Sequence, residues 1–149
     1  MASVRWHDRE FAELSAGELY AIVELRERVF VVEQKCAYLD ADGVDPISRH
    51  VWAEDDRGLV AYLRIVPAGA KFDEVSIGRV VTAPEVRGTG LGRELMRRGI
   101  AACGVAPIRI GAQAHLQRFY GDLGFVCASD AYDEDGIEHV EMTRPATAR

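Results

Sequence analysis

The chain has 149 residues, nearly half of them apolar and 28% charged, with a net charge of −6. That length suits one domain, residues 1–149, with a sizeable core, while the acidity argues against a nucleic-acid binder, which needs clustered Lys and Arg. No apolar run approaches the ~20 residues of a membrane helix, and the opening MASVRWHDRE has no signal-peptide core. Cys36, Cys103 and Cys127 are odd in number and widely spaced. They form neither a zinc pattern nor a disulfide framework, which predicts a reducing cytoplasm.

Taken in chain order, Ser15 followed by Glu18 is a capping box, and Leu19, Ile22, Val23, Arg26, Val29 and Phe30 keep helical spacing, predicting a helix over 15–31. The stretch VEQKCAYLDADGVDPISRH has no period and reads as a long loop with room for a short helix. HVWAE and LVAYLRIVP, separated by DDRG, predict a β-hairpin. EVSIGRVVTAP predicts a strand ended by Pro84, followed by the glycine turn RGTGLG and a helix to about Cys103 with Leu91, Leu95, Met96 and Ile100 on one face. APIRIGAQA reads as a strand and HLQRFYGDL as a short helix stopped by Gly124. GFVCAS and EHVEMTR are closing strands around the turn DEDG, and residues 145–149 read as a frayed tail. This order of helix, antiparallel strands, then strand–helix–strand–helix–strand–strand predicts a mixed α+β fold.

The glycine turn has its own physics. A helix start leaves backbone N–H groups without partners and carries partial positive charge. Glycines let that backbone approach an anion closely, and Arg87 and Arg93 flank the turn. The Walker pattern fails because Gly92 is followed by Arg93 and Glu94, and the dinucleotide pattern fails because position 93 is not Gly. Arg87, Gly90 and Gly92 do satisfy Arg/Gln-x-x-Gly-x-Gly/Ala. By itself that pattern reads equally as a tight turn and as an anion site.

A second motif adds to it. RGTGLG follows IGRVVTAP, and about thirty residues later comes FYGDLGF, with Gln113 seven residues before Tyr120. Together these resemble the loop and the Tyr-x-x-x-Gly-Phe segment of the GNAT superfamily of N-acetyltransferases. LRERVFVVEQKCAYLDADGVD, AQAHLQRFY and EDGIEHVEM further resemble its ElaA-like branch, and the likeness runs from about residue 19 to 143.

The resemblance implies a mostly antiparallel central sheet, flanked by helices, with one splayed strand pair holding acyl-coenzyme A. It implies an acetyl-coenzyme A-dependent transfer to a primary amine of a small molecule or peptide, by direct attack in a ternary complex. Val80 and Val81 would pair their backbone with the pantetheine arm. Arg87, Gly88, Thr89, Gly90, Leu91, Gly92 and Arg93 would hold the pyrophosphate, with Gln113 and Tyr120 also at the cofactor. A homodimer is a family habit, and neither a metal nor a membrane is implied.

Tyr120 on isolated sequence reads as a core aromatic; the resemblance makes it the proton donor to the departing thiolate. For the base, Glu33 at the end of the first helix and His115 at the start of the helix carrying Tyr120 are the main candidates. His139 is a third that reads better as structural. Asp40, Asp42 and Asp45 read as a solvated loop, or else as a lure for a cationic acceptor. A non-catalytic acyl-coenzyme A-binding module would keep RGTGLG but have no use for Tyr120.

Overall fold

A computed structural model describes residues 3–148. Ser15 does start a helix. Its Oγ accepts from Glu18 N at 3.0 Å while Ser15 N donates to Glu18 Oε1 at 2.8 Å, and α1 runs Ala16–Arg26. The expected continuation is helical but not α. Over Glu27–Glu33 the coil widens into a π-helix, seen in the bonds Gln34 N to Val29 O (3.0 Å) and Cys36 N to Val31 O (3.1 Å). Such widenings shift the faces of a helix and collect at functional sites.

Strands β1 (Arg5–Glu10), β2 (Arg49–Asp55), β3 (Gly58–Val66) and β4 (Ser76–Thr82) form one sheet in that order. The sequence reading assigned no strand to RWHDRE. The structure makes it an edge strand, paired with β2 from Arg5↔Glu54 to Glu10↔Arg49. After the glycine turn, α2 (Leu91–Ala102) lies on this sheet. Leu95 and Met96 are fully buried, and a Cβ at Gly99 would come within 2.7 Å of Leu63 Cδ2. Glycine there lets the helix backbone approach the sheet.

The second sheet contains β5 (Ile108–Gln113), β6 (Val126–Cys127), β7 (Tyr132–Glu134) and β8 (Ile137–Arg144), with β5, β6 and β7 all paired to β8. GFVCAS thus contributes only two strand residues. HLQRFYGDL contributes a tight turn, Ala114–Leu116, and the short helix α3, Gln117–Gly121. Within the expected tail, Thr147 N donates to Val105 O at 3.0 Å.

Every strand pair is antiparallel. The two sheets join through a single parallel bridge, Val75↔Ile108, closed by Arg109 N to Val75 O at 3.0 Å. Beyond it β4 and β5 part. This is the expected α+β fold with its splayed pair.

The acidic loop corrects the sequence reading. Asp40 is buried and Asp45 partly so, Asp42 alone keeps solvent exposure, and three arginines pair with all of them. Arg26 donates to Asp40 Oδ2 (2.8 Å) and Asp45 Oδ1 (2.7 Å). Arg64 takes both oxygens of Asp42 (2.8 and 2.7 Å) and Asp45 Oδ1 (2.9 Å). Arg79 Nε lies 2.9 Å from Asp40 Oδ1, and its Nη2 3.2 Å from Asp42 Oδ2. Arg26 and Arg64 are each only 1% exposed. The bonds from Arg64 hold the Asp42 carboxyl far below its ordinary range. Asp45 is lowered too: burial works against its charge, and Arg26 and Arg64 outweigh that.

A buried ion network tolerates loss of one partner poorly, because the other charges stay desolvated. Arg64→Met, which leaves Asp42 with Arg79 alone and Asp45 with Arg26 alone, is expected to cost about 3–5 kcal/mol of unfolding free energy in a urea titration. A loss under about 1 kcal/mol would show that the loop is held by something else.

Candidate active site

The site is built on β4. Its register against β3 slips between Tyr62 and Arg64, a bulge in which Arg79 adopts φ +52°. The neighbouring Gly78 does not carry the left-handed backbone; an arginine does. That conformation costs a non-glycine residue about 1–2 kcal/mol, and here the contacts of Arg79 with Asp40 and Asp42 and its stacking 5.5 Å over Tyr38 offset the strain. The bulge turns Arg79 toward the acidic loop and leaves Val80 on the cleft between β4 and β5.

Ladder alternation decides which peptide groups of β4 are free. Ala83 N donates to Val60 O (2.7 Å) and Val81 pairs with Tyr62. The main chain of Val81 is therefore spent within the sheet, and the peptide groups of Val80 and Thr82 face outward. The Thr82 carbonyl accepts from Arg87 Nη2 at 3.3 Å. Of the two valines expected to offer backbone to a ligand, Val80 has the free groups, while Val81 is a core side chain.

At the end of β4 the glycine turn has the predicted character. Gly88 and Gly90 adopt φ +80° and +85°, and a Cβ on either would meet nothing within 4 Å. Thr89 Oγ1 donates back to Val86 O at 2.6 Å. Gly90 is the N-cap of α2 and has no side chain to cap it. The first bond back into the turn is Glu94 N to Gly90 O (3.2 Å), so the N–H groups of Leu91, Gly92 and Arg93 are left over at the positive end of the helix. The flanking cations are less free than the sequence reading took them to be. Arg87 holds Glu33 through two bonds (2.5 and 2.7 Å). Arg93 reaches Asp122 at 3.7 Å and lies over Phe119, tying the turn to α3.

The cleft has a volume of about 270 Å³, and Gln113, Tyr120 and His139 meet Val80 on its wall. Tyr120 is 7% exposed, packed edge-on between Phe119 and Phe125. Its hydroxyl makes no hydrogen bond among the described residues, and burial raises its pKa to about 12. Gln113 Nε2 points to Gln34 Oε1 at 3.4 Å. His139 Nδ1 lies 2.7 Å from Ile137 O; a carbonyl only accepts, so the proton of neutral His139 sits on Nδ1. Its Nε2 lone pair then faces Glu134, 3.5 Å away.

Glu33 and His115 fall outside the cleft lining. Glu33 is exposed, and its bonds to Arg87 lower its pKa; His115 is exposed on the turn before α3. The sequence reading missed Gln34, Cys36, Tyr38, Lys71, Arg79 and Glu134 on the cleft. Gln34, Cys36, Tyr38 and Lys71 come from loops without period or motif, while Arg79 sits on β4 and Glu134 at the end of β7, and only the fold assembles them.

The model of the Acetyltransferase (GNAT) domain matches residues 22–145. Protein ElaA of Escherichia coli is 42% identical over 149 aligned residues, which cover 95% of this chain and 96% of that protein. The crystal structure of an acyl-CoA N-acyltransferase from Pseudomonas aeruginosa superposes with a TM-score of 0.91 at 43% identity, covering 95% of this chain and 99% of that one. The crystal structure of Escherichia coli ElaA gives 0.89 at 40% identity, with the same coverage. The chain belongs to the GNAT acetyltransferase family.

The tautomer of His139 is directly measurable. Long-range ¹H–¹⁵N correlation spectra of the neutral imidazole are expected to show a protonated Nδ1 and a bare Nε2; the opposite tautomer would overturn this assignment of the lone pair.

Proposed function

We propose that the protein transfers an acetyl group from acetyl-coenzyme A to a primary amine of a small molecule or peptide, with both partners bound at once. The observation that carries this reading is a continuous surface. Three unspent helix N–H groups at Leu91, Gly92 and Arg93 continue into the outward peptide groups of Thr82 and Val80, and these border a cleft lined by a buried tyrosine whose hydroxyl has no partner among the described residues.

The residues present fit such a cofactor. Gly88 and Gly90 leave open space where side chains would stand, suited to a pyrophosphate resting on the α2 N-terminus. The free edge of β4 would hold the pantetheine arm as an added strand. When bound, acetyl-coenzyme A supplies the activated thioester. Glu33 then serves as the tether of Arg87 rather than as a base, keeping the guanidinium beside the Thr82 carbonyl.

The remaining task is to move protons. An alkyl ammonium has a pKa of about 10.4, so losing its proton at pH 7 costs about 4–5 kcal/mol. In this reading His139 Nε2 accepts that proton, with Glu134 beside it to stabilise the imidazolium. Tyr120 supplies the proton on the opposite side. Burial keeps its phenol protonated at neutral pH, available for the sulfur as negative charge develops there.

Two variants separate the roles. Gly90→Glu places a carboxylate in the cradle, and calorimetric affinity for acetyl-coenzyme A is expected to fall at least about 100-fold. Gly90→Asn, which tolerates the left-handed backbone, controls for folding. Normal affinity in Gly90→Glu would overturn the cradle. Tyr120→Phe is expected to lower kcat about 100-fold while cofactor affinity stays unchanged. An unaltered rate under conditions where chemistry limits turnover would return Tyr120 to a purely structural role in the core.

A further inference from the structure

Charge bookkeeping around the cleft leaves one cation over. Arg79 lines the cleft but is engaged by Asp40 and Asp42. Asp42, on the same wall, is held by Arg64 and Arg79. The three arginines and three aspartates of that network cancel. Lys71, on the loop between β3 and β4, also lines the cleft and makes no ion pair among the described residues. It is one of two lysines in the whole chain. The same cleft is lined by Glu134 at the end of β7, Asp135 on the β7–β8 turn and His139 on β8. That turn is pinned in place by Cys36, whose Sγ donates to Asp135 O at 3.4 Å.

The surroundings of Lys71 call for an anion. The side chain keeps solvent contact, yet the walls crowd it. Its pKa is lowered first by that crowding and then by Arg79 and Arg64, against an opposing pull from Glu134 and Asp42. An anionic group arriving from solution would relieve this. Glu134, Asp135 and the lone pair of His139 favour a cation, and Tyr120 lines the same cleft. A cavity lined both by a spare ammonium and by carboxylates with an imidazole lone pair is complementary to a small zwitterion. A lone lysine matches a carboxylate better than a phosphate, which favours arginine forks and several N–H donors.

We infer that the acceptor carries a carboxylate beside its amine, that Lys71 binds this carboxylate, and that the substrate class is amino acids and similarly short amine-carboxylates. This rests on the transfer reading above and narrows it. The ammonium end is drawn to Glu134 and Asp135, which presents the nitrogen to His139.

The test uses the intact protein, saturated with coenzyme A for binding and with acetyl-coenzyme A for turnover. The common amino acids are each matched with their carboxamide, which keeps the amine and side chain and removes the carboxylate charge. Saturation-transfer NMR reads binding without turnover, and thiol release reads transfer. Among the amino acids that bind, the acid is expected to bind at least about tenfold more tightly than its amide. Lys71→Met is expected to erase that ratio, by weakening the acid alone and raising its KM at unchanged kcat. Lys71→Arg should restore it. Equal binding of acids and amides by the native protein, or a preference that survives in Lys71→Met, would overturn the proposal. A Lys71-dependent preference in binding with no thiol release from any amine would support this inference and defeat the transfer reading, so the two fail separately.

Discussion

The neutralised lattice of Arg26, Arg64 and Arg79 with Asp40, Asp42 and Asp45 is the constraint on which the rest of the site depends. It spans α1, β3, β4 and the loop before β2, so a single set of ion pairs fixes four segments that share no hydrophobic period. Its second layer is neutral. His50 accepts from the Tyr62 hydroxyl at Nδ1 (2.7 Å) and donates from Nε2 to the Asp45 carbonyl (3.0 Å), and burial keeps its pKa low. Replacing such a network by hydrocarbon need not lose stability. What hydrocarbon could not do is hold Arg79 in a left-handed conformation. The lattice does so by giving that side chain a fixed anionic destination.

From the bulge at Arg79 the functional geometry follows by ordinary strand rules. The parallel bridge Val75↔Ile108 ties the sheets at one point, and the slipped register beyond it leaves β4 with an unpaired edge. Unpaired edges are hazards in folded proteins because they invite association. Here the edge is short and recessed between β5 and the π-helical end of α1, a place for a ligand to add itself as a strand. The glycine turn extends the same logic past the strand end: donors that a capping side chain would normally satisfy are left open because Gly90 has none.

The parts of this arrangement legible in the sequence were those encoded locally. The capping box at Ser15 and Glu18, the hairpin at DDRG, the apolar face of α2 and the glycine spacing all act within a few residues, so one-dimensional pattern suffices. Three features were not local. Strand β1 is an edge whose ladder partners, Arg49 to Glu54, lie far along the chain beyond α1 and the acidic loop, and its charged residues hide the alternation. The π-helix looks like an α-helix to any periodicity argument, because the difference is one hydrogen bond in register. The bulge sits at Arg79 although Gly78 is adjacent; the deciding factor is the remote aspartates. The same remoteness explains the acidic loop. Spacing shows that Asp40, Asp42 and Asp45 are close together, and only the fold shows that three arginines converge on them.

Tyr120 shows why core and catalytic roles should not be weighed as rivals. From sequence the two readings compete, since an aromatic at helical spacing is ordinary core. In the structure the ring is core, wedged between Phe119 and Phe125, and the same residue lines the cleft. The packing is what suits the hydroxyl to donate. Burial raises its pKa because the phenolate loses its hydration, and packing removes the rotamer freedom that an exposed side chain would have to give up. A proton donor is most useful where it is fixed, dry and without a competing partner. The hydrophobic environment that marks Tyr120 as structural is thus the physical source of the property that the proposed chemistry requires.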